Sequence, residues 1–236
     1  MPAELIRLAE TPSTMEAAHA LAAKGADHGT AVIAARQSAG RGTRGRFWAS
    51  DTGGLWCSVV TRPRRTDALE ALSLRIGLAL AAVIELGFPV LPRIEIKWPN
   101  DLLVDRRKLA GILCEARWSG DTCQWVVVGV GVNVANELPD ELWATSTRLA
   151  DWVPSADADA LAPRVIAAIA LAARDAGPLT AAELAAFAQR DALAGQRLTE
   201  PLPGTAEGIT PRGALRIRSD TGPIREAIGG VASTPL

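Results

Sequence analysis

The sequence lacks the features that mark several large classes of protein. Its 236 residues include only three cysteines, and 25 basic side chains are balanced by 26 acidic ones, for a formal net charge of −1. General binders of nucleic acid or membrane surfaces usually carry a basic excess, so this balance disfavours both classes. The longest uncharged stretch, 122–136, is shorter than the roughly 20 residues that span a bilayer. Because the first residues include acids and no long apolar run, we predict no signal peptide.

Cysteine and lysine are both scarce. Cys57, Cys114 and Cys123 are an odd number in apolar contexts, which predicts reduced, buried packing residues in a cytosolic protein. Lysine stands at only three positions, against 22 arginines. A lysine retained in so arginine-rich a chain indicates chemistry that an amine performs better, and two of the three, Lys97 and Lys108, lie in one motif.

Hydrophobic periodicity predicts alternating helices and strands followed by a region of different texture. The hydrophobic fraction of 48% excludes a disordered chain. The predicted helices are 14–24, 67–86 and 157–190, the last broken near 177–178, and the predicted strands are 30–37, 54–62, 94–98, 108–118 and 124–134. After Gly195, short β-like pieces between glycine and proline turns indicate a small β domain. We therefore expect two domains, 1–190 and 191–236.

The segment 40–46, GRGTRGR, combines glycine with arginine after a predicted strand. Its glycines match G-x-G-x-x-G, but a dinucleotide site needs a helix directly afterwards, and a turn and another strand follow here. A flexible phosphate clamp fits better, since glycines let backbone N–H groups approach an anion while Arg41, Arg44 and Arg46 donate charged hydrogen bonds. A solvated charged loop is the alternative.

The segment 97–115, KWPNDLLVDRRKLAGILCE, predicts a strand, a tight bend at Asn100–Asp101 and a returning strand near Lys108. This return can bring Asn100 and Asp101 close to Lys108 and Gly111. A glycine inside an apolar strand, such as Gly111, indicates close approach by a ligand. The alternatives are a surface salt bridge for Lys108 and a capping role for Asp101.

The third motif, GVGVN at 129–133, interrupts a buried strand with two glycines and ends it with Asn133. Glycine at such positions again indicates close backbone approach. Asn133 can hydrogen-bond a base edge or a ligand amide, or it can simply end the strand.

In this order and approximate spacing, the three motifs resemble those of the biotin–protein ligase family. The family has Ser-Thr-Asn near the start, a GRGRRGR loop, KWPNDL followed by KLAGIL, and GIGIN. This chain has Ser13-Thr14-Met15, GRGTRGR, KWPNDLLVDRRKLAGIL and GVGVN, over about residues 11–136. It departs from the family pattern at Met15 and Thr43.

The resemblance implies an α+β fold, with a mixed, largely antiparallel sheet flanked by helices and a small C-terminal SH3-like β-barrel. It implies that biotin and ATP, with Mg²⁺ held largely by the phosphates and no metal site on the protein, give biotinyl-5'-AMP and pyrophosphate. A lysine of a biotin carboxyl carrier protein, of acetyl-CoA carboxylase or a related carboxylase, then takes the biotinyl group. Bifunctional members carry an N-terminal DNA-binding domain. Because this chain starts about ten residues before its Ser-Thr motif, we expect a ligase without a DNA partner. We also expect a cytoplasmic protein that has no membrane partner and that can form a homodimer.

The resemblance also implies residue roles. The implied catalytic residues are Lys108, Asp101 and Arg41. The implied biotin-binding residues are Ser13, Thr14, Met15, Gln37, Gly40, Arg41, Gly42, Thr43, Lys108 and Gly111. The implied ATP- or adenylate-binding residues are Arg44, Arg46, Trp48, Asn100, Lys108 and Asn133.

Within these sets, individual side chains have expected tasks. Ser13, Thr14 and Gln37 are expected to bind the biotin ureido ring, and Trp48 is expected to pack over the ligand. Asp101 is expected to orient and deprotonate the acceptor lysine.

Three rival functions are weighed against this one. Lipoate–protein ligases and octanoyltransferases share the implied fold, but the GRGTRGR run and KWPND favour biotin. A DNA-binding regulator built on the arginine loop is disfavoured by the net charge. A flavin or NAD oxidoreductase is the third.

Overall fold

A mixed β-sheet of eight strands forms the centre of the molecule, and the computed structural model describes residues 3–219 and 222–235. In chain order the strands of the protein are β1 (Leu5–Thr11), β2 (Ala31–Gln37), β3 (Leu55–Thr61), β4 (Glu95–Lys97), β5 (Asp101–Val104), β6 (Arg107–Ser119), β7 (Thr122–Val132), β8 (Arg197–Leu198), β9 (Gly204–Ile209), β10 (Leu215–Arg218), β11 (Ile224–Ala227) and β12 (Val231–Pro235). The large sheet has the order β1-β2-β3-β7-β6-β5-β4, with β12 beside β6. Among the described strand pairs, β1–β2 and β6–β12 are parallel and the others are antiparallel.

Four α-helices accompany the sheet in the part of the chain that the structure describes: α1 (Thr14–Ala23), α2 (Leu72–Gly87), α3 (Ala158–Ala172) and α4 (Ala181–Ala188). Ser13 caps α1, and its hydroxyl oxygen accepts a hydrogen bond from the Met15 N–H. The buried side of α1 packs on one face of the sheet, against side chains such as Val60 and Val127. Helices α2 and α3 belong to the main hydrophobic core on the other face. Helices on both faces of a largely antiparallel sheet confirm the predicted fold class.

The C-terminal region forms a second, four-stranded antiparallel sheet in the order β11-β10-β9-β8. A hydrogen bond links the two sheets: the indole N–H of Trp98, which follows β4, donates to the Gly213 carbonyl at 2.9 Å. After β11 the chain returns to the large sheet, where strand β12 pairs with residues 114–118 of β6. The boundary at 190 stays a prediction.

The predicted helices and strands recur within a few residues, with three differences. Strand β1 was not predicted, because LIRLAET is mostly exposed and shows no clear apolar alternation. The chain turns at 98–100, so Asp101 begins strand β5 instead of occupying the bend. All three cysteines are free thiols, but Cys123 is partly exposed, contrary to the buried position predicted for it.

Among the described residues, no helix is long and apolar enough to cross a membrane.

Candidate active site

A cavity of about 510 Å³ lies where the start of α1, the loop 40–48 and the middle of strands β5, β6 and β7 meet. Among the described residues that line it, five are basic and one is acidic: Arg41, Arg46, Lys97, Arg106 and Lys108, against Asp101. A cavity with this excess of positive charge favours an anionic ligand.

The cavity brings together most of the predicted site residues. It is lined by Ser13, Thr14, Met15, Gln37, Arg41, Gly42, Thr43, Arg46, Trp48, Asn100, Asp101, Lys108, Gly111 and Asn133. Gly40 and Arg44 do not line it. Gly40 closes the base of the loop, where a Cβ would lie 2.3 Å from the Trp48 carbonyl oxygen, and Arg44 lines an adjoining groove.

One end of the cavity carries a directed chain of hydrogen bonds. The Thr14 backbone N–H donates to Gln37 Oε1 at 2.8 Å, which fixes the orientation of the Gln37 amide. The Thr14 hydroxyl therefore donates to the same oxygen at 3.0 Å. Its contact with the Ser58 hydroxyl at 2.8 Å must then have Ser58 as donor. The Ser58 oxygen is left as an acceptor for a ligand N–H.

At the floor of the cavity, strands β6 and β7 contribute no side chains where two glycines face each other. Gly111 is the register partner of Gly131, and a Cβ on either would lie within 3.0 Å of the Trp48 indole. A Cβ on Gly129 would lie 2.5 Å from Met15 Sδ. The close neighbours of these glycines in the protein are Trp48 and Met15, which form the cavity wall, and the approach of a ligand to the glycines stays a prediction.

Trp48 sits at the centre of the site. Its ring lies 4.7 Å from Lys108 Nζ, within cation–π range, and meets Trp56 edge-on at 6.5 Å between centroids. Its indole N–H is buried and has no hydrogen-bond partner among the described residues. Since such a donor is costly to leave unpaired, this indole is suited to contact a polar group of the ligand.

Lys108 and Asp101 form an ion pair of 2.7 Å between Nζ and Oδ1. The β5–β6 pairing places Asp101 opposite Gly111, which is the proximity expected from the motif. The Lys108 backbone is also held from outside this hairpin, since its N–H donates to the Thr145 carbonyl at 2.8 Å. The backbones that carry the ion pair are therefore fixed by hydrogen bonds, beside the glycines of the cavity floor.

Both site asparagines are hydrogen-bonded within the protein. The Asn100 amide donates to the Ile112 carbonyl at 2.8 Å, and the Ile112 N–H returns a bond to the Asn100 carbonyl at 2.9 Å. Asn133 Oδ1 accepts from Asn136 at 3.4 Å. Asn100 thus braces the turn against β6, and the nucleotide contacts expected for Asn100 and Asn133 stay predictions.

Arg41 and Arg46 have different partners. An Arg41 guanidinium N–H donates to the Glu115 carboxylate at 2.6 Å. Arg46 instead bonds within the loop, donating to the Thr43 hydroxyl at 3.0 Å and to the Thr43 carbonyl at 3.3 Å. Arg46 therefore has no acidic partner among the described residues that line the cavity.

Sequence reasoning missed three residues that line the cavity, Ser58, Lys97 and Arg106, and one that contacts a lining residue from behind the wall, Glu115. The available signal was a polar residue beside an apolar run, since Ser58 interrupts one in β3 and Glu115 directly follows the run 109–114 in β6. Arg106 lies in the two-residue turn between β5 and β6 with φ of 61°, after Asp105 with φ of 47°.

Cys57 also lines the cavity, and burial raises the pKa of its thiol to about 12. The thiol thus stays protonated at neutral pH and serves as packing.

Residues 8–133, more than half of the chain, match the model of the Biotin/lipoate A/B protein ligase family. The chain belongs to this family. It is 35% identical over 234 residues to the biotin–[acetyl-CoA-carboxylase] ligase of Mycobacterium tuberculosis, covering 94% of this chain and 83% of that relative.

Two further similarities agree with the family assignment. The chain is 38% identical over 145 residues to the bifunctional ligase/repressor BirA of Bacillus spizizenii, covering 58% of this chain and 43% of the relative. The chain thus spans less than half the length of that relative. A biotin protein ligase from Aquifex aeolicus, solved with biotin and ATP, has a TM-score of 0.80 at 28% identity and 96% coverage of both chains.

Proposed function

We propose that the protein is an ATP-dependent ligase that activates biotin as biotinyl-5'-AMP and transfers it to a lysine of a biotin carboxyl carrier protein in the cytoplasm. The observation that carries this proposal is the cavity, which joins a directed hydrogen-bonding end to five basic side chains around one carboxylate. A biotin protein ligase with a similar fold has been solved with biotin and ATP together. The absence of a DNA partner and the homodimer both stay predictions.

The hydrogen-bonding end suits the ureido ring of biotin. The Ser58 oxygen can accept a ureido N–H, and the Ser13 hydroxyl hydrogen and second N–H of Gln37 remain to donate to the ureido carbonyl. Lipoate ends in a dithiolane ring with no N–H. It would leave the buried Ser58 acceptor unpaired, so these contacts favour biotin over lipoate.

In the first step, a biotin carboxylate oxygen attacks the α-phosphorus of ATP, and the bond to pyrophosphate breaks. The two reactants are anions, so their approach needs positive charge placed between them. Lys108 lies on the cavity floor, and Arg41 and Arg46 lie on the loop opposite. Lys108 is a compact charge that can follow the negative charge from carboxylate to phosphate.

Mg²⁺ fits this site as an ion that arrives with ATP. Among the described residues, no group of three or more His, Cys, Asp or Glu side chains could hold a metal ion. The phosphate oxygens would then supply most of its ligands, as is usual for Mg²⁺, which would neutralise charge on the departing pyrophosphate.

Incubation of the chain with ATP, Mg²⁺, biotin and a biotin carboxyl carrier domain tests the proposal. We expect the carrier to gain the mass of one biotinyl group, and to gain none when ATP is left out or when its acceptor lysine is replaced by arginine. Parallel reactions with lipoate and octanoate measure the rival function. Modification by either of these, with none by biotin, would overturn the proposal.

Thr43→Arg is expected to slow the escape of biotinyl-AMP about 10-fold. Thr43 lines the cavity with a short, uncharged side chain, whereas arginine would add a charge-assisted hydrogen bond, of about 1.5–3 kcal/mol if fully formed, near the adenylate. Solvent around the loop reduces that gain.

The measurement for Thr43→Arg is the release of labelled biotinyl-AMP without acceptor. Thr43→Val is the matched control, because it removes only the hydroxyl that Arg46 uses. Equal release from the wild type and Thr43→Arg would contradict the prediction.

Arg106→Gly is expected to stabilise the fold while weakening ATP binding. Its left-handed backbone costs an arginine about 1 kcal/mol that glycine avoids, and removing its charge from the cavity should raise the KM for ATP about threefold, less at high salt. Thermal unfolding and steady-state kinetics measure the two effects.

Asp105→Gly is the control for Arg106→Gly. Asp105 shares the left-handed turn but is not among the residues that line the cavity. The Asp105→Gly substitution should raise the stability of the fold and leave the KM for ATP unchanged. An unchanged KM in Arg106→Gly would place Arg106 outside the ATP site.

A further inference from the structure

Beyond the cavity, the same face of the sheet continues for one more row of side chains. Cross-strand partners in β6, β7 and β3 form three successive rows: Gly111–Gly131–Trp56, Leu113–Gly129–Ser58 and Glu115–Val127–Val60. The first two rows line or support the cavity floor. The third lies under α1, and Glu115 is its one charged member.

Helix α1 runs across these rows in the same direction. Met15 lies over the second row, and His19 follows four residues later, one helical turn along the same face. The His19 ring consequently meets Glu115, at 3.1 Å between Nε2 and Oε2. A buried polar cluster thus lies immediately behind the wall of the cavity.

The hydrogen bonds of this cluster also have a fixed direction. The Trp125 indole can only donate, and it donates to His19 Nδ1 at 3.0 Å. The proton of a neutral His19 ring is therefore on Nε2, where it is donated to Glu115. Trp125 and His19 together hold one oxygen of the Glu115 carboxylate in place.

The other Glu115 oxygen accepts from Arg41 at 2.6 Å. Glu115 is almost fully buried, with 7% of its side chain exposed, whereas 40% of the Arg41 side chain is exposed. Burial would raise the pKa of the Glu115 carboxyl, but the hydrogen bond from His19 and the charges of Arg41 and Arg117 outweigh it and hold this pKa below its ordinary value. Glu115 is therefore a fixed negative charge facing the loop.

We propose that Glu115, oriented by His19, is a positioning residue that holds the Arg41 guanidinium at the cavity before substrate arrives. The proposal rests on the proposed function in taking biotin as the substrate. Arg41 lies between Gly40 and Gly42, whose backbones have the most conformational freedom. Without an anchor, Arg41 would have to be ordered at the moment of binding, and that ordering would weaken the affinity for biotin.

Glu115→Gln separates the two contacts of this carboxylate. Glutamine keeps the size of glutamate but replaces one carboxylate oxygen with an NH2 group, so His19 or Arg41 loses its acceptor, and in either orientation Arg41 loses the negative charge that holds it. We expect the KM for biotin to rise about 10-fold, the size of one charge-assisted hydrogen bond, with kcat changed less than about twofold. In the Arg41→Ala background, Glu115→Gln should change the KM by less than about twofold, because two residues that act through one contact are not additive.

Hydrogen exchange of the ligand-free protein tests the anchor independently of catalysis. The Gly42 and Trp48 amides are hydrogen-bonded within the loop, and we expect Glu115→Gln to increase their exchange rates about 10-fold. Glu183→Gln is the matched control, because it breaks another Arg–Glu pair of 2.6 Å, with Arg75, that does not line the cavity. It should leave both loop exchange and the KM for biotin unchanged.

The outcomes separate this proposal from the proposed function. Equal loop exchange in the wild type and Glu115→Gln would overturn the anchor, whatever the protein catalyses. A rise in KM that persists in the Arg41→Ala background would assign Glu115 to a role that does not pass through Arg41. A wild type with no biotin-dependent activity would refute the proposed function, while loop exchange would still decide whether Glu115 holds Arg41.

Discussion

We expect Lys108→Ala to lower the rate of biotinyl-AMP formation by about 10²–10³-fold, the loss typical of removing one preorganised charge from a developing anion. Lys108 is held by strand pairing and by the Thr145 carbonyl, and its Nζ lies between the Asp101 carboxylate and the Trp48 ring. Its charge is therefore in place before the reactants meet. Alanine leaves Asp101 without its partner, which removes positive charge and adds repulsion toward the incoming carboxylate.

The fold of Lys108→Ala should remain intact. About a quarter of the Lys108 side chain is exposed, at 26%, and so is a similar part of Asp101, at 21%. Asp101 Oδ1 is buried beside the Lys108 side chain, and alanine opens that space to water, so the remaining carboxylate can be solvated. A partly exposed pair contributes about 1 kcal/mol or less to stability. Thermal unfolding checks this expectation.

Biotin-dependent exchange of pyrophosphate into ATP measures the first step for Lys108→Ala. Lys24→Ala is the matched control, since Lys24 is an exposed lysine at the end of α1 and does not line the cavity. Lys108→Arg should recover only part of the activity, because a planar guanidinium is a poorer point charge in this position. Normal pyrophosphate release by Lys108→Ala would exclude the proposed role.

Local sequence patterns were sufficient for the parts of the site that lie close together in the chain. Ser13 as the cap of α1 follows from short-range capping chemistry. The closeness of Asp101 to Lys108 follows from a strand that turns and pairs with the next one. Such features depend on a few neighbouring residues, which is why motif spacing predicts them.

Hydrophobic periodicity does not predict the register between strands that are distant in sequence. Ser58 reaches the cavity only because β3 pairs with β7 so that Ser58 stands opposite Gly129. A shift of one residue would turn Ser58 to the other face. The contacts of Glu115 depend in addition on the placement of α1 over β6. The packing of Trp48 on Gly111 and Gly131 joins a loop to strands that are far from it in sequence.

We expect Asp101→Asn to slow transfer of the biotinyl group to the acceptor lysine by about 10²-fold, the lower end of what a general base contributes. The incoming lysine must lose a proton before its amine can attack the carbonyl of biotinyl-AMP. Among the described residues that line the cavity, Asp101 is the one carboxylate. Asparagine keeps the shape and an oxygen for Lys108 but cannot take the proton.

The effect of Asp101→Asn on adenylation should be smaller, because Lys108 keeps its charge and its position on β6. Before the adenylate forms, the Asp101 carboxylate is occupied by its ion pair with Lys108, at 2.7 Å. We expect the phosphate of the adenylate to compete for Lys108 and so to free the carboxylate for the acceptor lysine. This sequence of partners predicts that the two steps respond differently to one substitution.

A single-turnover reaction that starts from preformed biotinyl-AMP and a carrier domain isolates the transfer step for Asp101→Asn. Asp105→Asn is the control, because Asp105 lies in the turn that follows the same strand but is exposed and does not line the cavity. Raising the pH should partly restore transfer by Asp101→Asn, since more of the acceptor lysine is then already neutral, whereas a structural defect would not respond in this way. Unchanged transfer at neutral pH would mean that Asp101 serves only to hold Lys108.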